Sequence, residues 1–227
     1  MKQVKHIKLS PNMMNADIGA LTDTLALFEK HGIDHLHINI MDGIFAPGFM
    51  LGIDYCRQLR SLTGIPLDFH FLVVDPEPKI AWFEPRPGDY VSIHAESTKH
   101  LHRAIQNVKE TGAKALVALN MATPLSAIEY VMEDIAGASL MLVNPGYGDQ
   151  SYNPDSLRKF RDLRALANAR GLEKFEIQAD GIITFDNMAD IVDAGADFIV
   201  LGPSTAFSKS IPPDEAMLKI KAIVGRK

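Results

Sequence analysis

Four side chains at the ends of strand-like runs have the types needed to hold a metal ion or move a proton: His37 and Asn39 in HINIMDG, His70 in LDFHF, and Asp180 in QADG. Two imidazoles and a carboxylate, with an amide oxygen as a weak fourth ligand, suit Zn²⁺, Fe²⁺, Co²⁺ or Mn²⁺ better than Mg²⁺. In HLHINIMDG a period of two puts His35, His37, Asn39 and Met41 on one face of a strand and Leu36, Ile38 and Ile40 on the other. Asp68 shares a face with His70 in PLDFHFLV, where it reads either as the acceptor of the second ring N–H of that histidine or as a residue of the strand start. The competing reading of all these groups is a hydrogen-bonded polar layer inside a core. Glu96, in His94-Ala-Glu96, reads as polar support. Asp42 reads as a turn residue, because its odd spacing from Asn39 aims it elsewhere.

A second group lies at the ends of three late runs: NPGYGD (144–149), ADGI (179–182) and LGPST (201–205). Glycine-bearing turns present backbone N–H groups, and a phosphate site after the last strands recurs in barrel folds. The candidates are Gly146, Tyr147, Gly148, Gly181, Gly202 and Ser204. No lysine or arginine stands in these turns, and Pro203 has no N–H to donate. Ordinary tight turns are the alternative.

Positioning such residues at one mouth requires parallel strands. β-branched and aliphatic runs alternate with longer amphipathic ones about eight times: HIKLS, HLHINI, PLDFHFLV, DYVSIHA, AKALVALN, SLMLVNP, KFEIQAD and DFIVLG are the strands. Helices are expected in DIGALTDTLALFEKHG, GIDYCRQLRSLTG, STKHLHRAIQNVKETG, PLSAIEYVMEDIAG, SLRKFRDLRALANARG and TFDNMADIVDAG, most of them closed by glycine. Eight β-then-α units in 227 residues predict an α/β fold, a (β/α)₈ TIM barrel forming one domain over 1–227. An open doubly wound sheet lacks its G-x-G-x-x-G after the first strand. In a barrel the strand C-termini and their following loops build the active site.

The net charge of −5 carries no basic stripe, which argues against nucleic acid as a partner. No apolar stretch approaches the roughly 20 residues of a membrane span, and the N-terminal run is too short for a signal peptide, so a cytoplasmic location is expected. Cys56 is the sole cysteine, which excludes an internal disulfide or a cysteine-based zinc site.

Taken in order, SPNMM, HINIMDGIFAP, DFHFLV, SIHAES, ALNMATPLSAIEYV, NPGYGDQ, QADGIITFDNM and GPSTAF resemble the ribulose-phosphate 3-epimerase family, which includes the allulose-6-phosphate 3-epimerases, over nearly the whole chain. The resemblance implies a divalent metal on two histidines and two aspartates, here His37, Asn39, His70 and Asp180. It also implies that two aspartates on opposite faces of a ketose phosphate exchange the C3 proton through an enediolate. Asp180 matches one of them. Asn39 stands where the other belongs, and an amide neither gives nor takes a proton near neutral pH. Substrate contacts carry over to Asn12 (a serine in the family), Met41, Leu72 (a methionine in the family) and Met141. Ile182 replaces a second glycine, and Asp149 a glycine of the phosphate loop. The family also implies a homo-oligomer. The expected function is 3-epimerisation of a ribulose 5-phosphate or allulose 6-phosphate type of ketose. The alternatives are another metal-assisted isomerase or lyase reaction on a sugar phosphate, or a non-catalytic sugar-phosphate binder.

Overall fold

The computed structural model describes residues 6–147 and 150–225. Nine strands follow the chain: β1 Lys8–Pro11, β2 Leu36–Asp42, β3 Phe49–Met50, β4 Leu67–Leu72, β5 Tyr90–His94, β6 Lys114–Leu119, β7 Gly137–Met141, β8 Glu176–Asp180 and β9 Phe198–Leu201. Eight are parallel, in the order β1-β9-β8-β7-β6-β5-β4-β2, and β3 adds a short antiparallel edge to the end of β2. The sheet curls until its ends meet, where Asn12 bridges His37 and the His35 N–H donates to the Leu9 carbonyl at 3.3 Å. All eight expected strands form, and they form a barrel.

Aspartates just before three strands pin the lower rim. Asp34, Asp89 and Asp197 accept the backbone N–H groups of Leu9, Leu67 and Ile177 at 2.9, 2.8 and 2.9 Å. Each carboxylate thereby satisfies a strand-end donor that the parallel ladder leaves open. At Gly137 an added Cβ would lie 2.0 Å from the Glu176 carbonyl oxygen, so β7 and β8 approach there only because the side chain is absent.

The helices are α1 Leu21–Lys30, α2 Ile53–Leu62, α3 Leu101–Glu110, α4 Leu157–Ala169, α5 Met188–Asp193 and α6 Pro213–Val224. Their apolar stripes cover the outer face of the strands, where Ile38, Phe69, Phe71, Val91, Val117 and Ile177 are wholly buried. One expected helix differs. Residues 124–137 form two separate 3₁₀ turns, Leu125–Ile128 and Met132–Asp134, with i→i+3 bonds such as Val131 N–H to the Ile128 carbonyl at 3.0 Å. A 3₁₀ winding rises about 2.0 Å per residue against about 1.5 Å in an α-helix, so it returns the chain along the barrel with fewer residues. No helix among the described residues is long and apolar enough to cross a membrane.

The barrel interior is layered. Near the bottom His35 packs among Tyr90 and Phe198, with ring centroids 4.9 and 5.3 Å away. Above lies a polar layer of Ser10, Asp68, Ser92, Ser139 and Gln178, all fully buried. Asp68 Oδ2 accepts from Ser10 Oγ at 3.1 Å and from Gln178 Nε2 at 2.7 Å, which ties β1, β4 and β8 together through the barrel axis. The mouth of the barrel is built on this layer.

Candidate active site

The parallel register sets His37 beside Asp68 and Asn39 beside His70 on adjacent strands. His37 Nδ1 lies 2.7 Å from Asp68 Oδ2, and its Nε2 lies 3.1 Å from Asn39 Oδ1 and 3.6 Å from Asp180 Oδ2. Asp68 is therefore the carboxylate behind a candidate metal histidine, but it supports His37 across the strands and not His70 on its own strand. Two residues along one strand are roughly 6.5 Å apart, whereas neighbouring strands are about 4.8 Å apart. Burial disfavours charge on His37, yet the Asp68 carboxylate and its hydrogen bond, with Asp180 and Asn39, outweigh it and raise its pKa to about 9.

His70 Nδ1 sits 3.1 Å from Asp180 Oδ2 but misses hydrogen-bond direction and is buried without a hydrogen-bond partner. Burial likewise opposes ionisation of Asp180. The adjoining His70 and the fields of His37, His70 and His94 overcome it and hold this acid below the usual carboxylate range. Ligand atoms of His37, His70 and Asp180 all fall within 4.8 Å of one another. The residues thus fit a divalent ion: two ring nitrogens and a carboxylate converge, and the buried Nδ1 of His70, without a hydrogen-bond partner, is placed to meet a ligand among them. Asn39 Oδ1 is the fourth available donor, neutral where an aspartate would bring charge, and its Nδ2 donates to Met14 Sδ at 3.2 Å.

His94 was not marked as a site residue by its sequence. Its Nε2 lies 2.9 Å from His70 Nε2, and its Nδ1 lies 3.1 Å from Glu96 Oε2. Burial pushes His94 down to about 4, while Glu96 is drawn down to about 2 against its own burial by His94, Thr123 and the Asn120 N–H. Glu96 is a support residue, as expected. The signal for His94 was its place two residues before Glu96 on a strand paired to that of His70.

A cleft of about 440 Å³ opens above these groups. Asn12, Asn39, Met41, His70, Leu72, Met141, Gly146, Tyr147, Asp180, Gly181, Gly202 and Ser204 all line it, and His37 lies fully buried below. Gly148 is outside the described residues. Met41, Leu72 and Ala46 pack together with Phe45 and Met50 into an apolar wall. Asn12 Oδ1 accepts the Met14 N–H at 3.2 Å, so its side chain shapes the loop after β1. Met14 and Ile183 also line the cleft, without having been singled out beforehand.

The glycine turns meet the cleft, with two corrections, the first being that the Tyr147 N–H donates to the Asn144 carbonyl at 3.4 Å inside its own turn. The Gly202 N–H donates to Thr205 Oγ1 at 3.1 Å within its own turn, so it is not directed at a ligand. A β-turn of this kind draws the following hydroxyl inward, and Ser204 is left exposed at the rim. Gly181, at φ +107°, lets the backbone pass Val143, to whose Cγ2 a Cβ would come within 2.5 Å. Ile182 adopts φ +44°, a left-handed conformation unfavourable for a β-branched residue. Asp42 turns away from the cleft: Oδ1 accepts the Ile44 and Phe45 N–H groups at 3.0 Å each, and Oδ2 accepts the Val74 N–H at 2.9 Å. It is the turn residue its spacing suggested.

The family model described as Ribulose-phosphate 3 epimerase family matches residues 8–206. This chain belongs to the ribulose-phosphate 3-epimerase family. It is 38% identical to the chloroplastic ribulose-5-phosphate-3-epimerase of Arabidopsis thaliana, over 95% of this chain and 76% of that one. It is 37% identical to the ribulose-phosphate 3-epimerase of Bacillus subtilis, over 86% of this chain and 90% of that one. Among solved structures, KGPDC from Streptococcus mutans aligns with TM-score 0.70 and 14% identity, over 99% of each chain. The 3-hexulose-6-phosphate synthase of Salmonella typhimurium aligns with TM-score 0.68 and 13% identity, over 96% of this chain and 98% of that one. At such identities these structural likenesses speak for the barrel fold alone.

Proposed function

We propose that this epimerase-family chain acts on carbon 3 of a phosphorylated ketose of the ribulose 5-phosphate or allulose 6-phosphate type. The observation that carries the reading is the convergence of His37, His70 and Asp180 at the floor of a cleft rimmed by glycine turns. His37, His70 and Asp180, with Asn39 Oδ1, would hold a Zn, Mn, Fe or Co ion. When bound, that ion supplies Lewis-acid stabilisation of the negative charge that develops on the substrate oxygens.

The chain's own residues do the rest. Asp180, ionised at neutral pH, takes the proton from C3 on its face of the sugar. Met41, Leu72 and Met141 give the sugar an apolar surface to pack against. Gly146, Gly181 and Ser204 are proposed to receive the phosphate through backbone N–H groups and the serine hydroxyl. Inversion needs a proton delivered to the other face, and Asn39 cannot deliver it. Asp180 is the one carboxylate among the described residues lining the cleft, and Asp42 is engaged by its own loop, so solvent is the donor we propose.

That same scarcity of carboxylates favours a second reading: enolisation on one face, with the proton returned to the side it left. Wild-type protein loaded with metal and incubated with each ketose phosphate in D₂O distinguishes the two by NMR. Deuterium at C3 with inverted product supports epimerisation; deuterium without inversion supports the one-face reaction. Absence of exchange with either sugar overturns both for these substrates. Family membership also leads us to propose a cytoplasmic homo-oligomer, its assembly measurable by light scattering.

A further inference from the structure

The rings of His70 and His94 lie nearly parallel, 19° apart, with centroids separated by 5.0 Å and Nε2 atoms by only 2.9 Å. The nitrogens therefore face each other edge to edge, and both rings are fully buried. Two neutral imidazoles in this arrangement share one proton, with one ring donating and the other accepting. The far end of the chain decides which. Glu96 Oε1 accepts the Asn120 N–H at 2.9 Å and the Thr123 hydroxyl, and Oε2 faces His94 Nδ1 at 3.1 Å. A carboxylate gathering three such contacts is an acceptor throughout, so His94 Nδ1 must carry its proton and donate. His94 Nε2 is then bare and accepts from His70 Nε2–H. His70 is left bare at Nδ1, the buried atom without a hydrogen-bond partner beside Asp180.

We infer that His94, anchored by Glu96, is a positioning residue that selects the His70 tautomer whose Nδ1 lone pair is open to an ion between His37 and Asp180. The opposite tautomer would carry a proton on Nδ1, against the Asp180 carboxylate, and would block a ligand nitrogen and engage the proposed base together. Asn39 supplies no charge to attract an ion, which increases the value of a nitrogen already turned to receive one. The consequence for the ion rests on the metal reading proposed above; the tautomer itself does not.

The test is ¹⁵N NMR of histidine-labelled, metal-free protein near pH 8, together with Zn²⁺ affinity from competition with a chelator. Wild type should show His70 protonated at Nε2 and His94 at Nδ1. His94→Leu should abolish the bias at His70 and weaken Zn²⁺ binding by about 10- to 100-fold. His94→Gln should restore both, because its amide oxygen can accept from His70 while its N–H₂ donates to Glu96. Glu96→Gln should reverse the chain: Asn120 and Thr123 still claim the carbonyl oxygen, its N–H₂ faces His94, and His70 takes its proton on Nδ1. If His94→Leu fails to fold, Glu96→Gln decides by the same two readouts. A wild-type His70 protonated on Nδ1, or a tautomer unmoved in Glu96→Gln, overturns the inference. Wild type with the expected tautomers but no Zn²⁺ binding overturns the metal reading and leaves the assignment of His94 standing.

Discussion

Metal uptake by this chain is expected to expel a proton from His37. Burial works against the charged ring, but Asp68, at 2.7 Å from Nδ1, with Asp180 and the Asn39 oxygen beside Nε2, brings the pKa up to about 9 in the metal-free protein. Ser10 and Gln178 hold Asp68 in place. The folded pKa lies above the ordinary 6.5, so the stabilisation from the charged ring is complete below about pH 6.5 and disappears as pH rises through 9. A ligating imidazole must be bare on the nitrogen that binds. Near pH 7.5 the ring is mostly protonated, and removing that proton costs on the order of 2 kcal/mol, or roughly 30-fold in affinity relative to pH well above 9. Calorimetric titration with Mn²⁺ in buffers of different ionisation enthalpy counts the protons, and chelator competition between pH 7 and 9.5 gives the affinity. The expected result is close to one proton released from His37 near pH 7.5 and an affinity rising about tenfold per pH unit before flattening near 9. Asp68→Asn should shift that rise to lower pH. Proton release near zero at pH 7.5, with an affinity flat across the range, would refute the coupling of Asp68 to a charged His37.

Asn39→Asp returns a proton carrier to the second face and should raise inversion at C3 by about 10²-fold or more over wild type, measured as product formed per deuterium incorporated. Asp180→Asn should remove C3 exchange altogether, while inorganic phosphate, titrated by calorimetry, binds as in wild type. Gly181→Ala places a Cβ 2.5 Å from Val143 Cγ2 at φ +107° and should destabilise the protein by about 2 kcal/mol or more in urea unfolding. Glu96 is held down to about 2, so its contribution is whole above pH 4.5 and lost as pH falls toward 2. The stability gap between wild type and Glu96→Gln, measured by urea unfolding, should narrow as pH falls from 6 to 3.

Much of this protein was legible before any coordinate. Alternation of side chains along HLHINIMDG and PLDFHFLV is a property of extended backbone, so it assigned His37, Asn39 and His70 to one strand face, and eight strand–crossover repeats pointed to a barrel that would gather them, with an open sheet as the alternative. The identity of Asn39 is likewise a fact of sequence, and the family resemblance implies that an aspartate would otherwise stand there. What the chain order could not assign was partnership. Asp68 serves His37 rather than His70, and His94 abuts His70. The Gly202 N–H turns into its own bend, and residues 124–137 wind as 3₁₀ turns. Partnership depends on strand register and on the crossing of side chains through the barrel axis, which bring together residues as distant in sequence as Asp68 and Gln178. Local periodicity sets the direction in which a side chain points; only the closed barrel determines what it meets there.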